Sequence, residues 1–501
     1  MSADDAAAVD RAEALLDEGR AAEALTLVAR PALAKDASHA ALATYATALK
    51  ALGRREEALA FNQRAADRYP TSPIAWHNLA ATLGDLGRGS ESKAAVEKAM
   101  DRGLDAPETW LVYARALLAV GDVDNAQRAY DACQQRAGGD AEVAVERANL
   151  VWMRSGDLTA AQAVLDAAFQ AGGPPGALVM AKARLFDAAD QGEAALRLLS
   201  MAAERMADDV TVLINAAQAA VEHGDVPRAK SLAARARSLA PQDLNALNQM
   251  VIVMLAAGEA DQALALAREG LAIQPDHQSL TGWAATAARV VSDPLHDQLY
   301  DLDNLVGVYD IETPSSWPNL AAYLADLAKA LAPMHAYAHH PFHQSLREGS
   351  QTAQALTAAT HPTLAAFFQA IDGPIRQHIT RLGPGSDAFR RRNTGAYRIH
   401  NTWSVLLRPG GFHKDHFHPD GWLSSAFYLE TPDQALDTGA HEGWLRFGQP
   451  PIQLTPPLPA LRHVRPQPGR LVLFPSYMWH GTVPFHTDER RLTLAFDAVP
   501  V

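Results

Sequence analysis

Cysteine is almost absent. The 501 residues contain a single one, Cys133, which excludes an intrachain disulfide framework and any metal cage built from thiolates. Its own place is in a helical segment, where it reads as a small core residue. Basic charge is also scarce: 44 Lys and Arg stand against 57 Asp and Glu, a net charge of −13 with a pI near 5.8. A general nucleic-acid binder needs basic surface to meet phosphates, so no nucleic acid is expected as a partner. No run of 18 apolar residues occurs, so no membrane span is expected. The opening stretch MSADDAAAVD is acidic and has neither a basic n-region nor an apolar h-region, so no secretory leader is expected and the default location is cytoplasmic. What is present is a globular composition, 48% apolar and 20% charged, on a chain long enough for two or three domains.

The first half repeats itself. A glycine is followed five residues later by alanine in GRAAEA at Gly19, GRREEA at Gly53, GDVDNA at Gly121, GDLTAA at Gly156, GDVPRA at Gly224 and GEADQA at Gly258. Gly87 and Gly192 keep the glycine and lose the alanine. Successive glycines lie 34, 34, 34, 35, 36, 32 and 34 residues apart, and Pro70, Pro241 and Pro275 each follow a glycine by 17 residues. The physical content is a helical hairpin. Glycine permits the tight exit from one helix, alanine lets the next approach closely, and proline stops it. One hairpin cannot cover its apolar face, so hairpins stack. Period and anchors resemble the tetratricopeptide repeat, with about eight units over residues 1–275.

From 276 to 395 the period is lost, although SWPNLAAYLADLAKALAPM and HPTLAAFFQAIDGPIRQHITRL read as amphipathic helices. The histidine-rich HAYAHHPFHQSLREGSQT lies between them, and the triplet Arg390–Arg392 is expected to be a solvated loop. After 395 the texture turns to strands: YRIHNTWSVLLR, LSSAFYLE, WLRFGQ, RLVLFP and RRLTLAFDAV, bounded by Gly, Pro and Asp. The expected architecture is α+β and multidomain: a repeat solenoid over 1–275, a helical connector with the first part of a catalytic domain over 276–395, and a small β-sandwich or jelly roll over 396–501.

The residues with chemistry gather in that last part. GGFHKDHFHPDGWLSSAFYLE holds His413, His416 and His418, and LVLFPSYMWHGTVPF holds His480. Strand residues two apart share a side, so His416 and His418 suit one ion, His413 faces the other way if the strand runs through it, and His480 is the third candidate. Arg491 follows in ERRLTLAFD; it shares a face with Thr493 and Ala495 and is suited to grip a carboxylate, while Arg490 points outward. Trp403, Trp422, Trp444 and Trp479 read mainly as packing aromatics, and Ser424 and Ser425 as structural strand residues. His339, His340 and His343 are a weaker alternative metal cluster, and Gln344, Arg347 and Gln351 stand in the same stretch.

The order His-x-His, His, Arg on a β-fold resembles the 2-oxoglutarate- and Fe(II)-dependent oxygenases. The resemblance is closest to bacterial oxygenases that follow a tetratricopeptide array. It rests on WSVLLRPGGFHKDHFHPDGWLSSAFYLETPD, GWLRFGQP, PGRLVLFPSYMWHGTVPF and RRLTLAFD, with HPFHQSLREGSQT upstream. It implies a double-stranded β-helix, Fe(II) held by His416 and His480, and Arg491 on the distal carboxylate of the co-substrate 2-oxoglutarate, with Tyr428 beside it and Thr493 on the same face. The usual third ligand is a carboxylate from a His-x-Asp pair. Here the matching pair is His416-x-His418, which favours three histidines and leaves the site one negative charge short; the register His413-x-Asp415 is the alternative. The implied activity is a dioxygenase that uses O2, turns 2-oxoglutarate into succinate and hydroxylates a protein or peptide brought by the repeats. Two other classes remain open: a non-catalytic scaffold that senses metal or 2-oxoglutarate, and a three-histidine zinc enzyme.

Overall fold

The computed structural model describes residues 3–353, 355–357 and 361–501. Packing divides the chain after Val143 into residues 1–143 and 144–501. The first unit consists of antiparallel helices, from Ala3–Asp17 and Ala21–Leu33 to Pro107–Ala119 and Val123–Ala137. Helix Ala141–Ser155 contains the division, and helices of the same kind run on from Leu158–Gln170 to Gln278–Val291.

The glycine–alanine phrase works as its chemistry requires. Gly19, Gly53, Gly121, Gly156, Gly224 and Gly258 all have left-handed φ, between 66° and 79°. The alanines five residues on (Ala24, Ala58, Ala126, Ala161, Ala229 and Ala263) are each 0% exposed. Gly87 keeps the left-handed turn, and Ser92 takes the buried alanine place, its hydroxyl donating to Ala80 O. Gly192 does not hold the turn. It opens helix Gly192–Arg205, and Asp190 adopts the left-handed conformation, with φ 55°. Cys133 is buried. No helix among the described residues is long and apolar enough to cross a membrane.

Two antiparallel sheets follow within residues 144–501. The strands are β1 (Gly307–Asp310), β2 (Leu346–Gln351), β3 (Tyr397–His413), β4 (Leu423–Glu430), β5 (Leu445–Phe447), β6 (Arg462–Val464), β7 (Arg470–Pro475), β8 (His480–Thr482) and β9 (Arg491–Pro500). A six-stranded sheet has the order β1-β7-β4-β9-β3-β2, and a three-stranded one β6-β5-β8. Helix Pro362–Leu382 covers the larger sheet, with Phe367 against Phe427 and Phe496.

The last repeat helices are built into this β-structure. Gln278–Val291 is buried all round, and one apolar cluster runs without a break from Ala217 through Trp283 to Phe474 and Ala498. The expected boundaries at 275 and 395 therefore do not coincide with the division in packing. Pro275 separates two helices that bury their faces on each other, with Gly270 close against Leu280. The arginine triplet is not a free solvated loop either: Arg391 pairs with Asp276 at 2.7 Å, and Arg390 with Asp387.

Candidate metal centre and anion pocket

His480 is set by what precedes it. The Trp479 ring packs on Trp283 with centroids 4.6 Å apart, and its indole N–H donates to Thr286 Oγ1 at 2.9 Å. The Trp479 backbone N–H donates to the Tyr300 hydroxyl, and the Tyr477 hydroxyl to Leu299 O. His480, the first residue of β8, then exchanges two backbone hydrogen bonds of 2.9 Å with His416, an isolated bridge. The His418 N–H donates to Ser476 O. Hence His416 and His418 lie not on a strand but on an extended segment just after β3, stitched to the residues around His480.

His416, His418 and His480 converge, their ligand nitrogens all within 4.8 Å of one another. Among the described residues this is the only such group of three. Each ring is oriented from behind. His416 Nδ1–H donates to Lys414 O at 2.8 Å, His480 Nδ1–H to Met478 O at 2.9 Å, and His418 Nδ1–H to Asp497 Oδ1 at 2.6 Å. Carbonyl and carboxylate oxygens only accept, so each Nδ1 carries its proton and each Nε2 is the nitrogen turned toward the cluster. Two of these, on His416 and His418, face each other 3.3 Å apart. One proton, or a metal ion in its place, joins two such nitrogens, and neutral imidazole is a good ligand for a divalent metal. Burial, and then the neighbouring His418, push the His416 imidazole down to about 3. Burial, and then His416 and His418, push His480 well below its usual value. Both rings therefore stay neutral and ready to ligate near neutral pH. The donor set fits a metal ion.

The His413/Asp415 register is not the one the chain adopts. Asp415 turns away and forms a two-pronged pair with Arg446, at 2.9 and 2.6 Å, under Gly481. His413 departs from expectation in the opposite sense. It lines the same pocket as the three histidines, its ring 5.6 Å from that of His416 and its Nδ1 3.1 Å from Ser345 Oγ. β3 ends at His413 and the alternation of sides ends with it, so parity does not carry through to His416.

Arg491, Thr493 and Ala495 of β9 line that pocket together. Arg491 is 2% exposed, and its guanidinium sits over the Tyr428 ring, 4.9 Å from the centroid. Its Nε and the Tyr428 hydroxyl have no hydrogen-bond partner among the described residues, and no carboxylate there pairs with Arg491. Arg490 faces outward in a two-pronged pair with Glu430. Trp403 stands beside His418 at the pocket, while Trp422 and Trp479 are core residues, with Trp422 Nε1–H donating to Phe389 O. Ser425 exchanges hydrogen bonds with the Phe496 backbone, whereas Ser424 donates to Asp497 at 2.6 Å.

The upstream histidines do not assemble. His339 packs on Trp152, and His340 lies 3.4 Å from Arg347 Nη1. Their segment is laid along repeat helices instead: His339 N–H donates to Met153 O, Phe342 N–H to Asn149 Oδ1, and Trp152 Nε1–H to His340 O. Arg347 then pairs with Asp187 at 2.6 Å, as does Lys414 at 2.9 Å.

Residues 401–497 match the family described as "Putative 2OG-Fe(II) oxygenase". The matched span contains all three converging histidines, Arg491 and Asp497. Solved structures similar to the chain include the APC/C hetero-tetramer Cut9-Hcn1, at 15% identity and TM-score 0.32 over 55% of this chain and 54% of that one. A tetratricopeptide repeat protein from Parabacteroides merdae ATCC 43184 aligns at 12% identity and TM-score 0.35, over 50% of this chain and 100% of that one. Yeast Tom70 aligns at 12% identity and TM-score 0.39, over 58% and 75%. This chain thus spans about half the length of the first of these. No curated protein matches the sequence. The chain thus joins an array of antiparallel helices to a β-region of which residues 401–497 match that oxygenase model.

Proposed function

We propose that the chain is a 2-oxoglutarate- and Fe(II)-dependent oxygenase that hydroxylates a protein or peptide recruited by its repeats. One observation carries this reading: three converging imidazoles and a buried guanidinium without a carboxylate partner line a single pocket. His416, His418 and His480 hold the iron. Arg491 takes the distal carboxylate of 2-oxoglutarate through parallel charge-assisted hydrogen bonds, with Tyr428 under the guanidinium and Thr493 on the same face. We read the two sheets as the two faces of a double-stranded β-helix. Bound Fe(II) supplies the redox chemistry that couples decarboxylation of 2-oxoglutarate to succinate with transfer of oxygen from O2 to a C–H bond.

The chain's own residues do the rest. The backing acceptors Lys414 O, Met478 O and Asp497 hold each ring in its ligating tautomer. Arg491 fixes where the co-substrate lies, and Trp403, Leu445 and Phe474 wall the pocket against water. Stacked helical repeats as a class take extended peptides, which is the role proposed for these. A zinc hydrolase has no use for a buried Arg491 without a carboxylate partner, which favours the oxygenase.

The test is anaerobic loading of the purified chain with Fe(II), followed by 2-oxoglutarate and air. Succinate is expected at a rate above that of the metal-free protein, and the His416→Ala and His480→Ala proteins should lose the ion. Metal retained in full by both variants defeats the assignment. Binding of 2-oxoglutarate without succinate points to the sensor, and turnover of a hydrolysable substrate with zinc alone points to the zinc enzyme.

A further inference from the structure

Two buried carboxylates flank the histidine cluster, and they differ in what balances their charge. Asp415 is matched by the guanidinium of Arg446. Asp497 is 8% exposed, and no lysine or arginine among the described residues pairs with it. Its Oδ1 accepts from His418 Nδ1–H and from the Ser424 hydroxyl, each at 2.6 Å, and the Ser424 hydroxyl also lies 2.8 Å from that of Ser476. The packing is close: a Cβ at Gly421 would lie 3.3 Å from the Asp497 carboxyl carbon and 2.3 Å from Ser476 Oγ. A buried carboxylate without a countercharge is costly. Among the described residues Asp497 is linked to the histidine cluster through the His418 ring, whose other nitrogen points at His416 Nε2. Arg491, with no carboxylate partner, thus lines the pocket, and Asp497, with no lysine or arginine partner, stands behind His418.

We propose that Asp497 is the positioning residue of the metal centre. Through the His418 imidazole it supplies the negative charge that a carboxylate ligand supplies in a two-histidine, one-carboxylate site. This rests on the three-histidine reading above. The hydrogen bond draws the Nδ1 proton toward the carboxylate and leaves the ring a more basic donor at Nε2. It also locks the tautomer, because Asp497 can only accept. β9 thus serves both ends of the pocket: Arg491 and Asp497, six residues apart, share one face of the strand.

The test uses Asp497→Asn in the full chain. Asparagine keeps the shape and an oxygen acceptor and removes the charge. Two quantities are read besides turnover: affinity for Co(II) and Fe(II) by anaerobic competition with a chelator, and the midpoint potential of the bound iron. Affinity is expected to fall about 10- to 100-fold, and the potential to rise, because a lost negative charge favours Fe(II). A variant that binds within twofold of wild type at an unchanged potential overturns the proposal. Wild-type protein loaded with Zn(II) gives a second measurement that needs no variant. In its imidazole 1H–15N spectrum the His418 Nδ1–H should be the furthest downfield of the three ligand protons. A deprotonated or metal-bound Nδ1 on His418 overturns the proposal as well. Failure of the parent reading looks different, since wild type itself then takes up no ion through these histidines.

Discussion

A guanidinium held out of water with no carboxylate opposite it is an unfinished interaction, and Arg491 is in that position. Losing one partner of a buried charge pair typically costs about 3–5 kcal/mol, which is roughly two to four decades of affinity. Arg491→Ala should accordingly raise the 2-oxoglutarate concentration needed for half-maximal succinate release by at least about a hundredfold, with metal content unchanged. Arg490→Ala breaks only the exposed pair with Glu430 and should move that concentration less than about threefold. Crippling by Arg490→Ala, or indifference to both changes, contradicts the strand assignment. Residues like Arg491 were legible in the sequence because parity along a long strand is reliable. Asp497 was legible by the same parity, two positions beyond Ala495, but its meaning depends on a ring 79 residues away. His413 and Asp415 were not legible: the strand ends between them and the sequence carries no mark of the break.

Among elements, helix Gln278–Val291 decides most. Its run GWAATAA is small and apolar on every side, the pattern of a helix buried all round. A Cβ at Gly282 would lie 2.9 Å from the backbone oxygen of Tyr477 and 3.6 Å from the Trp479 ring. Gly282→Ala should therefore destabilise the fold by about 1–3 kcal/mol despite the better helix former, and weaken metal binding as the segment leading to His480 shifts. Gly84, also helical, meets only Ser92 Oγ at an ordinary 3.5 Å. Gly84→Ala should be neutral or stabilising by up to about 1 kcal/mol. Urea unfolding of both variants checks the contrast, and equal effects contradict the docking role of Gly282. The repeat hairpins were readable from sequence because their signal is local, one turn and one close contact. Where a single aspartate replaced glycine, at Asp190, the phrase pointed to the wrong turn residue. Three-residue strands such as β6 and β8 are too short to show a period of two.

At the scale of the molecule, buried neutral histidines tie stability to pH. His335 bridges the hydroxyls of Ser350 and Ser404 at 3.0 and 2.9 Å. Burial, and then Arg408, push it from the usual 6.5 to about 4. His378 is pushed down to about 3 by burial and then Arg381. The unfolded chain takes up these protons first as pH falls. The stabilisation is therefore complete above about pH 6.5 and is lost on the way down through the folded values. His335 alone accounts for at most about 3 kcal/mol. Urea midpoints of the metal-free chain should fall steadily between pH 7 and pH 5, and His335→Gln should flatten part of that slope. A midpoint independent of pH over this range contradicts the assignment.

The segment from His339 to Arg347 ties the pocket to the repeat helices that precede it: Asn149 and Trp152 hold its backbone, Asp187 holds Arg347, and Ser345 reaches His413. This bears on how such a chain can change over generations. A repeat inserted or dropped between Asp187 and the β-region would pull this tether out of register with the helices it is fastened to. Duplication or loss within residues 1–143, which hold their own contacts, leaves every one of these fastenings intact. Relatives should accordingly vary in repeat number toward the front of the array and keep its rear constant.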